Sequence, residues 1–365
     1  MKTLEKIIFS LLVLALLPLV ANAKSDQITV KVSNPTRIAR QAQTIEIPWQ
    51  EIISRLPQAC PQNIVVSIEG EQIPSQVSAQ ALLFQARVEG KASVCYTINI
   101  GEREEYPRLT FARAVPERLD DWAWENDKMA YRMYGPALEA TGEVSSGIDV
   151  WCKKTDRLVL DRWYAQNDYH NDHGQGMDGY KVGRTLGAGA MAIVESDTLA
   201  MSRNYIKASL IESGPIRTTF SLSYAPYKVG RQTITEQRTV SIDAHSHFNR
   251  ITVRYPTLDG NATAVAGVPL RPSTIWEATP QAIITSEDAD KKHGNIFLAV
   301  VMQSISKNMT LQNHAVLQTT IQEQQPLTYY IGAAWSLAGV TFDEWKKMVE
   351  HQTICINHPL RVTIK

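Results

Sequence analysis

Ile206-Lys-Ala-Ser-Leu-Ile-Glu212, Arg217-Thr-Thr-Phe-Ser-Leu-Ser-Tyr224, Ile234-Thr-Glu-Gln-Arg-Thr-Val-Ser-Ile242 and Phe248-Asn-Arg-Ile-Thr-Val-Arg-Tyr255 follow one another along the chain. Each is short, rich in β-branched and aromatic residues, and wholly or partly alternates apolar with polar side chains, the signature of a half-buried strand. Segments of that length and spacing suit stacked antiparallel sheets. The same signal extends outward in both directions. On the C-terminal side lie Ile296 to Val301 and Thr328 to Ala333; on the N-terminal side, Met191 to Glu195 and Arg157 to Trp163. Near the start of the chain, Gln27 to Val32, Asn63 to Ile68, Leu82 to Val88 and Val94 to Ile100 form a separate strand-rich stretch. Residues 24–105 therefore read as a small N-terminal β unit, with a boundary at the charged run Gly101 to Glu105, and residues 106–365 as the larger domain. Helical patterns are scarce. The clearest is Thr341 to Glu350, where Thr341 and Glu344 have the spacing of a capping box; it is expected to lie across a sheet before a final strand, Leu360 to Ile364.

The first 23 residues read as a signal peptide. Lys2 and Lys6 precede an apolar run from Ile7 to Val20, and Ala21-Asn22-Ala23 supplies the small-x-small cleavage pattern. The run is short for a bilayer span, no second run of spanning length follows, and no Cys marks a lipid anchor. The expectation is an exported protein, periplasmic or secreted, with no membrane anchor after cleavage. The formal charge of the full chain is 0, and loss of Lys2, Glu5 and Lys6 makes it −1. That balance predicts no electrostatic affinity for nucleic acid or acidic membranes. Cys60, Cys95, Cys152 and Cys355 lack zinc-ligand spacing. In an oxidising compartment Cys60 and Cys95 are the first candidates for a disulfide, while Cys152 and Cys355 read equally as buried thiols or a bridge.

Two segments interrupt the strands and concentrate polar chemistry. In Asp120 to Gly135, Trp122 and Trp124 stand among Glu125, Asn126, Asp127, Arg132 and Tyr134. Flat aromatic faces beside carboxylates and a guanidinium are what sugar recognition uses. Trp122 and Trp124 share one strand face, so one of them is expected in the core. In Asn167 to Arg184, His170 and His173 stand among Asp168, Asp172, Asp178, Tyr180, Lys181 and Arg184, with glycines that allow sharp turns and close ligand approach. Such groups serve as acids and bases near neutral pH, histidine most readily. The plainer reading is a hydrogen-bonded loop capping a sandwich. His170 and His173 are also spaced to share a divalent metal with Asp172 or Asp178, so no cofactor is required but a metal stays open. His245-Ser-His247 has alternate-residue spacing, yet no third ligand lies adjacent, and it reads as a turn with two exposed imidazoles. Gly183 to Gly189 lacks the ending of a phosphate-binding P-loop, and no Gly-x-Ser-x-Gly elbow occurs.

At these two segments the chain resembles a bacterial family, the domain-of-unknown-function family numbered 4861. The likeness is carried by Asp121 to Ala137 and Tyr169 to Gly189, with Gly332-Ala-Ala-Trp335 and Asn357-His-Pro-Leu-Arg-Val362 agreeing. The resemblance implies an all-β fold: a large antiparallel β-supersandwich, galactose-mutarotase-like, with a small N-terminal β unit. It also implies a setting among pectin- and ulvan-degrading enzymes, hence an oligosaccharide or polysaccharide substrate. It brings no catalytic assignment, and a shared fold does not choose a chemistry.

The leading expectation is β-elimination on a uronate-containing saccharide. That reaction needs a group to neutralise the uronate, a base and an acid. Arg132 or Arg184 with Asn126 would serve the first need, His170 or His173 the second, and Tyr180 or Tyr134 the third, with Lys181 in reserve. Trp124, Glu125, Asp172 and Asp178 complete the expected binding surface. The alternatives are hydrolysis by two carboxylates drawn from Glu125, Asp127, Asp172 and Asp178, sugar epimerisation or mutarotation, and a non-catalytic sugar-binding protein.

Overall fold

The structure is a computed structural model that describes residues 27–290 and 293–365; the signal-peptide segment lies outside them. Strand accounts for 51% of the chain and helix for 12%, so the all-β expectation holds. An eight-stranded antiparallel sheet runs from the edge strand Tyr205–Ser213 through Arg217–Tyr224, Gln237–Asp243, Phe248–Arg254, Leu327–Trp335, Gly294–Val301 and Ala282–Asp290 to Ile275–Ala278. Two five-stranded sheets accompany it. One holds Met191–Glu195, Asn261–Pro269 and His314–Gln322 at its centre; the other is built on Thr110–Val115, Asp121–Asn126, Met129–Met133, Asp149–Lys153 and Gly176–Asp178. One continuous apolar core joins all three, with Trp122, Trp124 and Tyr131 from the second, Val265 and Leu317 from the first, and Phe220, Ile251 and Ile331 from the eight-stranded sheet. This is the sandwich architecture expected.

The N-terminal unit is a smaller sandwich of a five-stranded and a three-stranded sheet, closed by helix α1 (Trp49–Arg55) over its own core of Val30, Ile47, Ile64, Phe84 and Ile98. The last strand, Arg361–Ile364, hydrogen-bonds to Gln27–Ser33 of this unit, so the chain returns to where its first strand lies. Helix α2 spans Pro136–Ala140, α3 Leu160–Gln166 and α4 Phe342–Asn357. The capping box of α4 forms as read: Thr341 Oγ1 accepts from the Glu344 N–H at 3.2 Å and Glu344 accepts from the Thr341 N–H at 2.8 Å. Its Trp345 and Val349 are buried against Phe248, Ala299 and Ala334 of the eight-stranded sheet. None of the described helices is long and apolar enough to cross a membrane.

Two expectations need correction. The segment read as the strand Arg157 to Trp163 supplies helix α3 instead. The carboxylate of Glu125 accepts the N–H groups of Val159 and Leu160 at 2.8–2.9 Å; an anion there satisfies the unpaired donors of a starting helix. Trp163 then stacks on Trp151, and Tyr164 packs against it at a tilt. The local β-forming composition is overridden by this tertiary contact. Secondly, all four cysteines are free thiols. Cys60 lies just before Ile64–Ile68, whose first residue pairs with Ile100, whereas Cys95 sits five residues back along Ser93–Ile100. At about 3.4 Å per residue the two thiols are at opposite ends of that pairing.

Candidate active site

Alternation along the strands Asp121–Asn126, Met129–Met133 and Asp149–Lys153 divides the charged motif between two faces. Trp122 and Trp124 both turn into the core, 5% and 0% exposed. Trp124 stacks on Tyr131 at 5.4 Å, meets Phe220 at 4.9 Å, and donates its Nε1–H to Asn249. The expectation that Trp124 offers a face to sugar is thus corrected: both indoles fill the sandwich. The opposite face carries Asp121, Glu125, Arg132, Asp149 and Lys153, and it is roofed by α3 and the loop after it.

Glu125 is fully buried. It binds Lys153 Nζ at 2.8 Å besides capping α3, so its expected role as a sugar ligand is replaced by a structural one. Burial lowers the Lys153 pKa, and Glu125 pulls it back. Asn126 is likewise committed. It donates to the carbonyls of Asp243 and Ser246 at 2.7 Å and accepts from the N–H groups of Lys128 and Met129, so its amide fixes a hairpin turn.

Arg132 is the centre of the site. It is 4% exposed and binds Asp149 through Nε at 2.9 Å and Nη2 at 2.6 Å, and Asp178 through Nη2 at 2.9 Å. Asp121 lies 3.6 Å from Nη1, too far for a hydrogen bond, and its carboxylate has no side-chain hydrogen-bond donor among the described residues. Rings surround the guanidinium: Tyr134 and Trp151 at 5.1 Å and Tyr169 at 5.7 Å. Three carboxyl groups around one cation cannot all ionise cheaply in a buried place. Burial pushes Asp121 up to about 7 against the pull of Arg132 and Arg118. Burial and the neighbouring Asp149 raise Asp178 well above the carboxylate range. The Tyr134 phenol is raised by burial and Asp149 and so keeps its proton.

The loop from Asn167 to Arg184 brings one imidazole onto this cluster. Asp178 occupies the short strand Gly176–Asp178, which pairs with Trp151 to Lys153. Gly176 has φ +122°, and a Cβ there would lie 2.0 Å from the Cys152 carbonyl oxygen, so only glycine permits that approach. His170 then lies with Nδ1 3.4 Å from Asp178 Oδ2 and 3.2 Å from the Asp178 carbonyl, its side chain 67% exposed. Tyr169 beneath it stacks on Trp151 at 4.6 Å. The half-buried Tyr134 and the exposed His170 therefore reach the same Arg132–Asp178 pair from the surface.

The other expected residues are placed elsewhere. His173 binds Asp168 at 2.8 Å on the rim of a cavity of about 210 Å³ lined also by Arg162, Tyr169 and Gln175. Asp172 pairs with Lys154 and accepts the N–H groups of Gly174 and Gly176. His170 and His173 thus turn to different carboxylates, and among the described residues no group of three metal-ligating side chains converges. Tyr180 is buried beneath Arg271, 5.1 Å away, and its pKa is raised by burial, so it is removed from the surface where an acid was expected. Lys181 and Arg184 are exposed. The Ser145 hydroxyl donates to the Gly183 carbonyl, the Ser145 N–H donates to Asn204 Oδ1, and Asn204 Nδ2 donates to the Gly135 carbonyl, so a chain of bonds links the residue before Arg184 to the one after Tyr134.

The sequence reading missed a second polar region. His245 and His247 line a cleft of about 920 Å³ between the N-terminal sandwich, α4 and the eight-stranded sheet. Only His245 is exposed as expected; His247 is half-buried, edge-on to Trp345. His245 Nδ1 lies 3.0 Å from Asp127 Oδ2. The signal that could have found this pair is the adjacency of Asp127 and Lys128 at a hairpin turn, but its partner is more than a hundred residues away.

Comparison with known proteins places the fold. The chain belongs to the domain-of-unknown-function family DUF4861, whose profile matches residues 32–362. It is 29% identical over 379 residues to "Uncharacterized protein P7" of Formosa agariphila, covering 94% of this chain and 95% of that one. Among solved structures it is similar to an alpha-mannosidase from Enterococcus faecalis, with a TM-score of 0.52, 8% identity, and coverage of 93% of this chain and 46% of that one. A protein of glycosyl hydrolase family 38 from the same organism gives a TM-score of 0.52 and 8% identity, with 93% and 48% covered. The chain spans about half the length of these two structures, and at this identity the likeness concerns fold.

Proposed function

We propose that this DUF4861 member is a carbohydrate-active enzyme that cleaves uronate-containing saccharides of pectin or ulvan type by β-elimination. The observation that carries the reading is the convergence of an exposed imidazole, His170, and a half-buried phenol, Tyr134, on one Arg132–Asp178 pair. In this reading Asp178 orients the His170 ring through Nδ1, leaving Nε2 to take the C5 proton of the uronate. The electrons of that C–H bond form the C4–C5 double bond, the C4–O bond breaks, and the leaving oxygen takes the Tyr134 proton. Arg132 is already bound to Asp149 and Asp178 and holds the geometry, so neutralising the substrate carboxylate falls to Arg184. No cofactor enters these steps. The sandwich fold shared with glycosidases supports a saccharide substrate, and the reading extends to export after cleavage at Ala23, with action in the periplasm or beyond.

The test is to incubate the protein with oligosaccharides from pectin, ulvan and alginate and follow absorbance near ~235 nm, where the unsaturated product absorbs. His170→Ala and Tyr134→Phe should each lower turnover by about 10²–10⁴-fold. New reducing ends without that absorbance would instead favour hydrolysis by paired carboxylates. Neither signal would leave epimerisation or sugar binding as the better reading.

A further inference from the structure

The cleft of about 920 Å³ lies within the size range of ligand sites, and it is built from segments far apart in sequence. Arg40 to Thr44 and Glu46 form one wall, Lys347, Met348 and His351 of α4 the roof, and Arg217, Arg250 and Tyr330 of the eight-stranded sheet the floor. Its carboxylates are all engaged. Asp243 binds Arg217 at 2.5 and 2.9 Å, Glu46 binds Arg217 at 2.6 Å, and Glu344 closes the capping box. Arg250 and Lys347, both exposed, have no carboxylate within ion-pair distance among the described residues.

A second observation points to a ligand. Arg40 is 1% exposed, and Nη2 donates to the His358 carbonyl at 3.0 Å. Its Nε and Nη1 find no oxygen or nitrogen acceptor among the described residues and have only the Cys355 thiol, a weak acceptor, against the guanidinium; the buried Gln43 Oε1 and Thr44 Oγ1 beside it make no hydrogen bond either. Buried guanidinium donors without a strong acceptor are costly and uncommon. Across the cleft, Arg250 stands directly opposite Tyr330 on paired strands, offering a cation next to an aromatic face. His245 is held by Asp127 through both its ring Nδ1 and its backbone N–H, at 3.0 and 2.6 Å.

We infer that this cleft is a second ligand site, which takes an anionic saccharide bearing carboxylate or sulfate-ester groups. Arg250 and Lys347 meet the anionic groups, Arg40 supplies donors at the closed wall, Tyr330 presents a ring to the sugar, and His245 reaches a hydroxyl through Nε2. The inference rests on the proposed function only for the saccharide nature of the ligand; its negative charge follows from the cleft itself. Lys128 at the cleft and Tyr134 at the Arg132 site are six residues apart along one hairpin strand, about 20 Å at the rise of a β-strand.

Calorimetric binding to the full chain tests this, using His170→Ala protein to suppress turnover. The probes are hexameric oligogalacturonate, a sulfated dextran oligosaccharide and neutral maltohexaose. One anionic probe should bind, and which one does distinguishes carboxylate from sulfate recognition. Adding Arg250→Ala with Lys347→Ala should weaken binding in the cleft at least about tenfold and flatten its salt dependence, and should give the same loss in protein that also carries Tyr134→Phe and Arg184→Ala, which removes binding at the Arg132 site. The inference is overturned if neither anionic probe binds, if maltohexaose binds equally, or if the Arg250/Lys347 substitutions leave affinity unchanged. Elimination by the wild type is read separately, so loss of the cleft and loss of the lyase reading remain distinguishable.

Discussion

The Arg132 cluster and the cleft under α4 are both rich in charge, but they hold it in opposite ways. Around Arg132 three carboxyl groups share one cation inside the protein, and burial drives two of them toward the neutral form. Behind the cleft wall the buried Asp127 is surrounded by donors from two cleft-lining residues, His245 and Lys128. Burial alone would raise its pKa, but the hydrogen bonds from His245 and the charge of Lys128 outweigh that and hold it well below the carboxylate range. The first region is over-supplied with acid and the second with cation. Proton chemistry suits the first, and anion recognition suits the second.

The largest effect that would sharpen this contrast is at Arg132. Arg132→Ala leaves three carboxyl groups buried without their cation, and breaking a buried pair in this way costs about 3–5 kcal/mol. Denaturant unfolding should show that loss, whereas Arg250→Ala in the cleft should stay within about 0.5 kcal/mol of the parent. Equal effects at the two arginines would erase the distinction.

A second comparison reads the two aspartates against pH. Asp121 has a folded pKa of about 7, above the ordinary value of roughly 3.9, so the folded state holds a proton that the unfolded chain releases. Its carboxyl group therefore lowers stability progressively between about pH 4 and 7. Asp121→Asn should gain on the parent across that window, at up to about 1.4 kcal/mol per pH unit, and level off above it. Asp127 is depressed, so its contribution is present above about pH 4 and fades as pH falls through the folded value. Asp127→Asn should therefore cost ~1–3 kcal/mol near pH 7 and progressively less in acid. Thermal unfolding from pH 3 to 8 measures both; slopes of the same sign would break the comparison.

The smallest effect concerns the roof of the cleft. Thr341→Ala removes the capping box of α4, which costs about 1 kcal/mol. Because Trp345 keeps the helix docked, ligand affinity in the cleft should change less than twofold, as titration of the same anionic probes would show.

Much of the site was legible because the motifs carry their own periodicity. Arg132 and Tyr134 lie two residues apart and share a face, and the glycines around Asp178 mark a tight approach that Gly176 does make. What could not be read was which charged groups would be spent on one another. Glu125 and Lys153, or Arg132 and Asp178, are distant in sequence, and nothing in either segment announces its partner. Trp124 was misread for the same reason: an indole suits a sugar face and a core equally, and only Phe220 and Tyr131 decide between them.

By itself, then, the sequence determined the all-β class, the capped helix α4 and the two segments where polar chemistry gathers, because strand alternation, capping and turn glycines are set by neighbours a few residues apart. Tertiary structure alone decided that Arg157 to Trp163 would yield a helix, that Cys60 and Cys95 would lie apart, and that His245 would meet Asp127. Each of those outcomes depends on burial and on charges that come together only when the sheets have packed.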